Sequence, residues 1–152
     1  AKSLWDPAVA EKVVMHSPCS VLVARGLERG HGHLLCTDGS ESALHMVKRA
    51  GAISKRINSK LSVMAVAEDV ESEDDAQKNV DAAVAELKML GVEPVKAFTR
   101  VGNPFEEIIS AGDDYSFIVV GSTGKTGLKR FFMGSVSFKV MEHAKHSVII
   151  VR

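Results

Sequence analysis

The chain has 152 residues, about the size of one domain, and its 45% hydrophobic and 25% charged residues are typical of a folded globular protein. Lys plus Arg and Asp plus Glu both total 19, which argues against an electrostatic nucleic-acid binder, because such proteins carry a basic excess. No apolar stretch approaches the roughly 18 residues of a membrane span, and residues 1–12 lack the pattern of a secretory signal. Two cysteines are too few for a disulfide framework, so we expect a cytoplasmic protein.

Residues 9–25 repeat the last seventeen residues of the chain, 136–152. Seven of the seventeen positions are identical without a gap, and both segments predict a short helix, a break and an apolar strand. We therefore interpret residues 1–25 as the helix–strand remnant of a preceding repeat, 26–32 as a glycine-bearing linker and 33–152 as the main domain. We expect the remnant strand to pair antiparallel with the terminal strand, either of the same chain or of another copy.

The main domain alternates predicted strands and helices. Ser40 is a plausible N-cap of a first helix that places Leu44, Val47 and Ile57 on its inner face. Acidic residues 71–75 predict the start of a second helix, and Asn103-Pro104 predicts the start of a third. A loop at 121–133 precedes the last helix. Apolar runs predict five strands, at 33–37, 61–67, 95–101, 117–120 and 147–151.

This alternation predicts an α/β fold with an open, doubly wound, five-stranded parallel sheet and helices on both faces. In such sheets, ligands bind outside the carboxyl ends of the strands, where the strand order reverses. Two turns with suitable chemistry follow predicted strands, at residues 38–40 and 121–124. We expect the functional site there.

The segment from residue 121 to residue 136 has glycines at spacings that suit an anion. Gly121 and Gly124 are separated by two residues, and Gly134-Ser135 follows nine residues later, at the start of the last helix. Glycines let backbone N–H groups approach an anion, and a helix N-terminus binds anions as well. A merely flexible glycine loop accounts for the spacing equally well. The run is not a P-loop, because the first glycine of that motif would fall on Val119.

No pattern of catalytic or metal-binding residues emerges elsewhere. The six histidines show no metal-ligand spacing, and no Ser–His–Asp or Cys–His arrangement can be argued from the sequence. We find no candidate that would hold a metal ion or orient a nucleophile for phosphoryl transfer. We therefore expect no metal site on the protein and no enzyme activity beyond slow phosphoryl transfer.

The chain resembles the ATP-binding branch of the universal stress protein family. That branch has Gly, two residues, Gly, nine residues, then Gly-Ser or Gly-Thr, which residues 121, 124, 134 and 135 match without a gap. TDGSESA at 37–43, VGNPFEEI at 101–108 and the terminal SVIIVR are similar to further family segments. The resemblance covers residues 33–152.

The resemblance implies strand order 3-2-1-4-5 and an adenine nucleotide lying between strands one and four. Asp38 would lie at the nucleoside end, the Val66 backbone would read the adenine edge, and Gly121 would approach the ribose. The residues that would hold the phosphates are Gly124, Gly134, Ser135 and Val136.

The function that follows is an adenine-nucleotide-binding, stress-response regulatory protein. The cofactor would be ATP, ADP or AMP, with Mg²⁺ carried by the nucleotide. The resemblance also implies a homodimer through the edge of the terminal strand. An alternative is a nucleotide-independent interaction module of a tandem or larger protein, which the incomplete N-terminal copy favours.

Overall fold

A computed structural model of the chain describes residues 6–26, 31–123 and 134–152. The described elements alternate along the main domain as predicted, after an additional helix and strand at the N-terminus. In chain order they are α1 (Pro7–His16), β1 (Val21–Val23), β2 (His33–Cys36), α2 (Glu41–Ile57), β3 (Leu61–Ala67), a 3₁₀ turn (Val70–Ser72), α3 (Glu73–Met89), β4 (Ala97–Val101), α4 (Pro104–Gly112), β5 (Phe117–Gly121), α5 (Ser135–His143) and β6 (Ser147–Val151).

All described strands form one sheet with the order β1-β6-β5-β2-β3-β4. Counted from β2, the five strands of the main domain have the predicted order 3-2-1-4-5, and all of their pairings are parallel. The whole sheet has six strands rather than five, because β1 pairs antiparallel with β6, which confirms the expected pairing of the remnant strand within the same chain. An apolar strand with an open edge presents unpaired N–H and C=O groups, and β1 satisfies those of β6 within the same chain.

The helices cover the two faces of the sheet and enclose two apolar clusters. On one face, α2 and α3 bury residues such as Met46, Val80 and Leu87 against the sheet. On the other face, α4 and α5 pack with α1, and Val14 of α1 is completely buried there. Neighbouring strand residues point to opposite faces, so each central strand contributes to both clusters. This two-sided burial explains why the strands are continuous apolar runs.

Helix starts follow the predicted capping residues. The Ser40 hydroxyl accepts a hydrogen bond from the Ala43 N–H, and the Asn103 side chain accepts one from the Glu106 N–H. Two expectations need correction. The second helix begins only at Glu73, after the 3₁₀ turn. Ile57 is 59% exposed rather than inward, because the last turn of α2 extends past its final buried residue, Ser54.

Not one of the helices in the described part of the chain combines the length and the apolar character that crossing a membrane requires.

The sequence analysis expects two copies of the chain to dimerise through the edge of the terminal strand. In the structure, β1 of the same chain already pairs with that edge of β6.

Candidate nucleotide-binding site

A cavity of about 570 Å³ opens at the carboxyl ends of β2, β3 and β5. This is the switch point of the sheet, since β2 lies between β5 and β3 while the chain connects β2 to β3. Gly124, the seventh predicted residue, and the basic residues that follow it lie outside the described residues. Six predicted site residues line the cavity: Asp38, Val66, Gly121, Gly134, Ser135 and Val136.

The turn after β2 holds Asp38 at the cavity wall. Gly39 has a φ of +75°, which a residue with a side chain rarely adopts, and the Ser40 N–H donates to Asp38 Oδ1 at 3.0 Å. The Thr37 N–H donates to the Met64 carbonyl at 2.9 Å, so this turn begins where the pairing of β2 with β3 ends. One carboxylate oxygen of Asp38 therefore fixes the turn, and the carboxylate keeps further acceptor capacity for a ligand hydroxyl.

The backbone of Val66 is uncovered on its β2 side. In an extended strand, the N–H and C=O of one residue point to one side, and those of the next residue point to the other. The Met64 carbonyl accepts from β2, so the groups of Val66, two residues on, also point that way. Because β2 has ended at Cys36, no strand in the described part of the chain pairs with Val66 there. Val66 thus offers one donor and one acceptor at the cavity.

The chain returns to the end of β5 at the start of α5. The Gly134 N–H donates to the Ser122 carbonyl, and Ser137 Oγ donates to the Gly121 carbonyl, both at 2.8 Å. Gly134 is the N-cap of α5, and no described side chain caps this helix. The N–H groups of its first turn and the positive end of its dipole are therefore suited to an anion in the cavity.

Gly121 lies against the first turn of α2. A Cβ at this position would lie 3.0 Å from Ser42 Oγ and 3.4 Å from the backbone carbon and oxygen of Ser42. A contact of 3.0 Å is tighter than ordinary van der Waals packing, so Ser42 Oγ would have to move by a few tenths of an ångström to admit a side chain. The glycine is therefore explained by close packing at the cavity floor, which the spacing pattern alone did not indicate.

Acidic and amide side chains near β3 and α3 also line the cavity. Asp69 and Asp75 are among them, together with Asn79. Hydrogen bonds from the Ser72 hydroxyl and N–H lower the pKa of Asp69, which keeps that carboxylate charged. The sequence pattern of residues 71–75 indicated only a helix start, because nothing in it shows which side chains of that helix face the cavity. Among the described residues, no group of three or more His, Cys, Asp or Glu side chains could hold a metal ion.

Charge is therefore distributed unevenly along the cavity. Apart from Asp38 after β2, the cavity carboxylates follow β3 or lie on α3, whereas the helix end that no described side chain caps lies beside β5. Since strands are spaced about 4.8 Å apart and β2 lies between these two, the ends are separated by about 10 Å. A ligand with a polar, uncharged end and an anionic end matches this arrangement.

Comparison with known proteins shows the family of the chain. Residues 33–152 match the model of the universal stress protein family. The chain belongs to that family. Two universal stress proteins of Methanocaldococcus jannaschii are similar to it: one is 33% identical over 81 residues, covering 52% of this chain and 49% of the relative, and the other is 29% identical over 133 residues, covering 76% and 78%. The aligned part thus spans about half the length of the first relative.

Solved structures of universal stress proteins have the same fold. One, in complex with cAMP, is 27% identical with a TM-score of 0.63, covering 79% of this chain and 94% of that chain. A universal stress protein of Archaeoglobus fulgidus DSM 4304 is 20% identical with a TM-score of 0.70. That match covers 95% of this chain but 53% of the other, so the shared fold extends into the N-terminal helix and strand.

Proposed function

We propose that this universal stress protein binds an adenine nucleotide, ATP, ADP or AMP, and acts as a regulatory protein in a stress response. The observation that carries the proposal is the cavity at the switch point, which has an uncovered backbone donor and acceptor at one end and, at the other, a helix N-terminus that no described side chain caps. A solved family member 27% identical to this chain is a complex with cAMP, an adenine nucleotide.

The end formed by β3 suits an adenine base. The N–H of Val66 can donate to adenine N1, and its C=O can accept from the 6-amino group, because the two backbone groups point to the same side. Met64 and Ile108, which are buried side chains of the cavity wall, supply apolar surface for the ring. Asp38, at the end of β2 between the two ends, can accept from the ribose hydroxyls.

The end formed by β5 and α5 suits the phosphates. The N–H groups of Ser135 and Val136 and the helix dipole favour negative charge there. The carboxylates near β3 disfavour the reverse orientation, since they would repel phosphate oxygens. We propose that Gly124 belongs to this end, as the glycine spacing implies, and that any Mg²⁺ is carried by the nucleotide.

We further propose that binding is not followed by efficient hydrolysis. Phosphoryl transfer requires a metal ion held in place and a group that orients the nucleophile. In the described part of the cavity, the carboxylates other than Asp38 belong to the β3 and α3 end, about 10 Å from the helix that would hold the phosphates. The same proposal places the protein in the cytoplasm, where adenine nucleotides are abundant.

Calorimetric titration with ATP, adenosine and GTP tests the proposal on the whole chain. We expect ATP to bind and GTP to bind at least tenfold more weakly, because its base presents a different order of donors and acceptors. If neither ATP, ADP, AMP nor adenosine binds, the protein is the alternative, an interaction module that needs no nucleotide.

The Ser135→Asp substitution tests phosphate binding at α5 without weakening the fold. The substitution places a carboxylate at the first residue of α5, where it stabilises the helix through the dipole but repels phosphate. We expect equal or higher thermal stability, at least tenfold weaker ATP binding and unchanged adenosine binding. Ser110→Asp is the matched control, because Ser110 is exposed near the end of α4 and does not line the cavity. Unchanged ATP affinity in the Ser135→Asp protein would refute the assignment of α5.

A further inference from the structure

Asn79 lies on the side of α3 that lines the cavity. Ser72, Asp75 and Asn79 line it together, and they follow one another at spacings of three and four residues, which places them on one side of a helix. The side of α3 that packs on the sheet contains Ala76 and Val80, which are buried. Asn79 is half-buried beside them, so its amide faces the space of the cavity rather than the apolar core.

The amide of Asn79 reaches the turn that holds Asp38. A Cβ built on Gly39 would overlap Asn79 Oδ1 and lie 3.0 Å from Asn79 Nδ2. The amide therefore lies against the α-carbon of Gly39, in the space that any other residue would fill with its side chain. Asp38 is the preceding residue of the turn. The glycine thus allows an amide of α3 and the carboxylate that follows β2 to approach the cavity side by side.

The amide of Asn79 forms no hydrogen bond with the part of the chain that the structure describes. A nearby amide on the exposed side of the same helix does find a partner, because Gln77 Nε2 donates to Asp81 Oδ1 at 2.9 Å. An asparagine amide has two N–H donors and an oxygen that accepts. Half-buried polar groups without a protein partner bond to water or to a ligand. The donors and the acceptor of Asn79 are therefore available to a molecule in the cavity.

Asp38 and Asn79 together match a pair of neighbouring hydroxyl groups. A hydroxyl both donates and accepts hydrogen bonds, whereas an ionised carboxylate only accepts. Asp38 Oδ1 already accepts from the Ser40 N–H, so the remaining acceptor capacity of Asp38 suits hydroxyl protons. Asn79 Nδ2 supplies the donor that a hydroxyl oxygen requires and that a carboxylate lacks. The vicinal 2′- and 3′-hydroxyls of a ribose have this combination of donors and acceptors.

We propose that Asn79 is a specificity-determining residue that, together with Asp38, selects a ribonucleotide over a deoxyribonucleotide. The inference rests on the proposed function, because it concerns the sugar of the nucleotide in the same cavity. Asp38 follows β2, which lies between the β3 end assigned to the base and the α5 end assigned to the phosphates. The ribose occupies the same middle position in a nucleotide. An asparagine amide can also pair with N6 and N7 of adenine, but the contact with the Asp38 turn favours the sugar.

Calorimetric titration of the whole chain with ATP, 2′-deoxy-ATP and 3′-deoxy-ATP tests this inference. A hydrogen bond to a charged group is worth at least about tenfold in affinity, so each deoxy analogue should bind at least tenfold more weakly than ATP. Asn79→Ala should weaken ATP binding about fivefold, as expected for one hydrogen bond between neutral groups. The same substitution should leave unchanged the affinity for the analogue that lacks the hydroxyl contacted by the amide. Gln77→Ala is the matched control, because it removes an exposed amide of the same helix, and it should change none of these affinities.

A second variant and a fourth ligand separate this role from the other roles open to Asn79. Asn79→Leu keeps the side-chain volume without the hydrogen bonds, and it replaces Asn79→Ala if thermal melting finds that protein unfolded. Equal weakening of all three nucleotides in a folded Asn79 variant would overturn the inference, as would an original protein that binds all three equally. A preference for ATP over 7-deaza-ATP that disappears in the variant would assign the amide to the base instead. Each of these results leaves ATP binding intact, whereas no binding of ATP at all refutes the proposed function and this inference with it.

Discussion

The turn between β2 and α2 allows a test in which the same backbone strain is introduced near the cavity and far from it. Gly39 has a φ of +75° and Gly91, after α3, has a φ of +76°. Replacing either glycine by alanine places a side chain in the left-handed region, which costs about 1–2 kcal/mol. For a chain of this length, that lowers the melting temperature by about 3–8 °C. We expect this loss in both variants.

The two sites differ in what the new Cβ contacts. At Gly91 the nearest atom is Lys55 Nζ at 3.3 Å, the end of a flexible side chain. At Gly39 the Cβ would overlap the amide oxygen of Asn79, which lines the cavity, so either Asn79 or the turn that holds Asp38 must shift. Losing one hydrogen bond to the Asp38 carboxylate costs at least about 1.5 kcal/mol, which is about tenfold in affinity.

Thermal melting and calorimetric titration with ATP of both variants separate strain from binding. Both proteins should melt earlier, and only Gly39→Ala should bind ATP about tenfold more weakly. The double variant Gly39→Ala/Asn79→Ala removes the overlap and should recover part of the lost stability. Equal ATP affinities in the Gly39→Ala and Gly91→Ala proteins would refute the placement of the nucleoside beside this turn.

Asp38→Ala should weaken binding of adenosine and ATP by the same factor in calorimetry, because the carboxylate is assigned to the ribose; a loss confined to ATP would contradict that role. Turnover of ATP, measured as phosphate release over hours, should stay below about 1 per second, with a Gly124→Val protein as the control for contaminating ATPases. Burial raises the pKa of Cys36 to about 12, whereas Cys19 is exposed. Peptide mass mapping after brief maleimide treatment at pH 8 should therefore find Cys19 modified and Cys36 intact. Rapid labelling of Cys36 would contradict this, because it would show that maleimide reaches a reactive Cys36 thiolate through the cavity.

The strand order and the helix starts follow from the sequence because they depend on local chemistry and on chain handedness. Ser40 and Asn103 cap their helices through hydrogen bonds to N–H groups three residues further on, so the signal is local in the sequence. Right-handed crossovers leave few ways to order five parallel strands. The end of α2 could not be predicted in the same way. Ile57 continues the apolar pattern of the helix, and only the extent of the packed structure determines that it is exposed.

The location of the cavity could be predicted from the strand pattern, because ligands bind beyond the carboxyl ends of the strands and the turn at residues 38–40 follows such a strand; Val66 came from the family resemblance. The acidic and amide lining of the cavity was not predicted. Asp75 and Asn79 lie in the first two turns of α3, which follows β3 at the cavity, but which side chains of those turns face the cavity depends on how α3 packs on the sheet through residues far apart in sequence. The position of Cys36 in the cavity wall could not be predicted from the sequence either.

The helix α5 links the cavity to the α5–β6 edge, the side of β6 on which β1 pairs. Its N-terminal residues line the cavity, and the carbonyls of Met141 and Ala144 at its other end accept hydrogen bonds from Arg25. Nine residues at 1.5 Å per residue separate these ends by about 13 Å. Because binding free energies are linked, any factor by which removal of residues 1–25 changes the ATP affinity must equal the factor by which ATP changes the exposure of the α5–β6 edge. Because a shortened chain with an uncovered β6 edge can pair with a second copy, its ATP affinity gives this coupling only at a concentration where sedimentation finds it monomeric. Equal affinities of the two chains under that condition would establish that the cavity and the edge act independently.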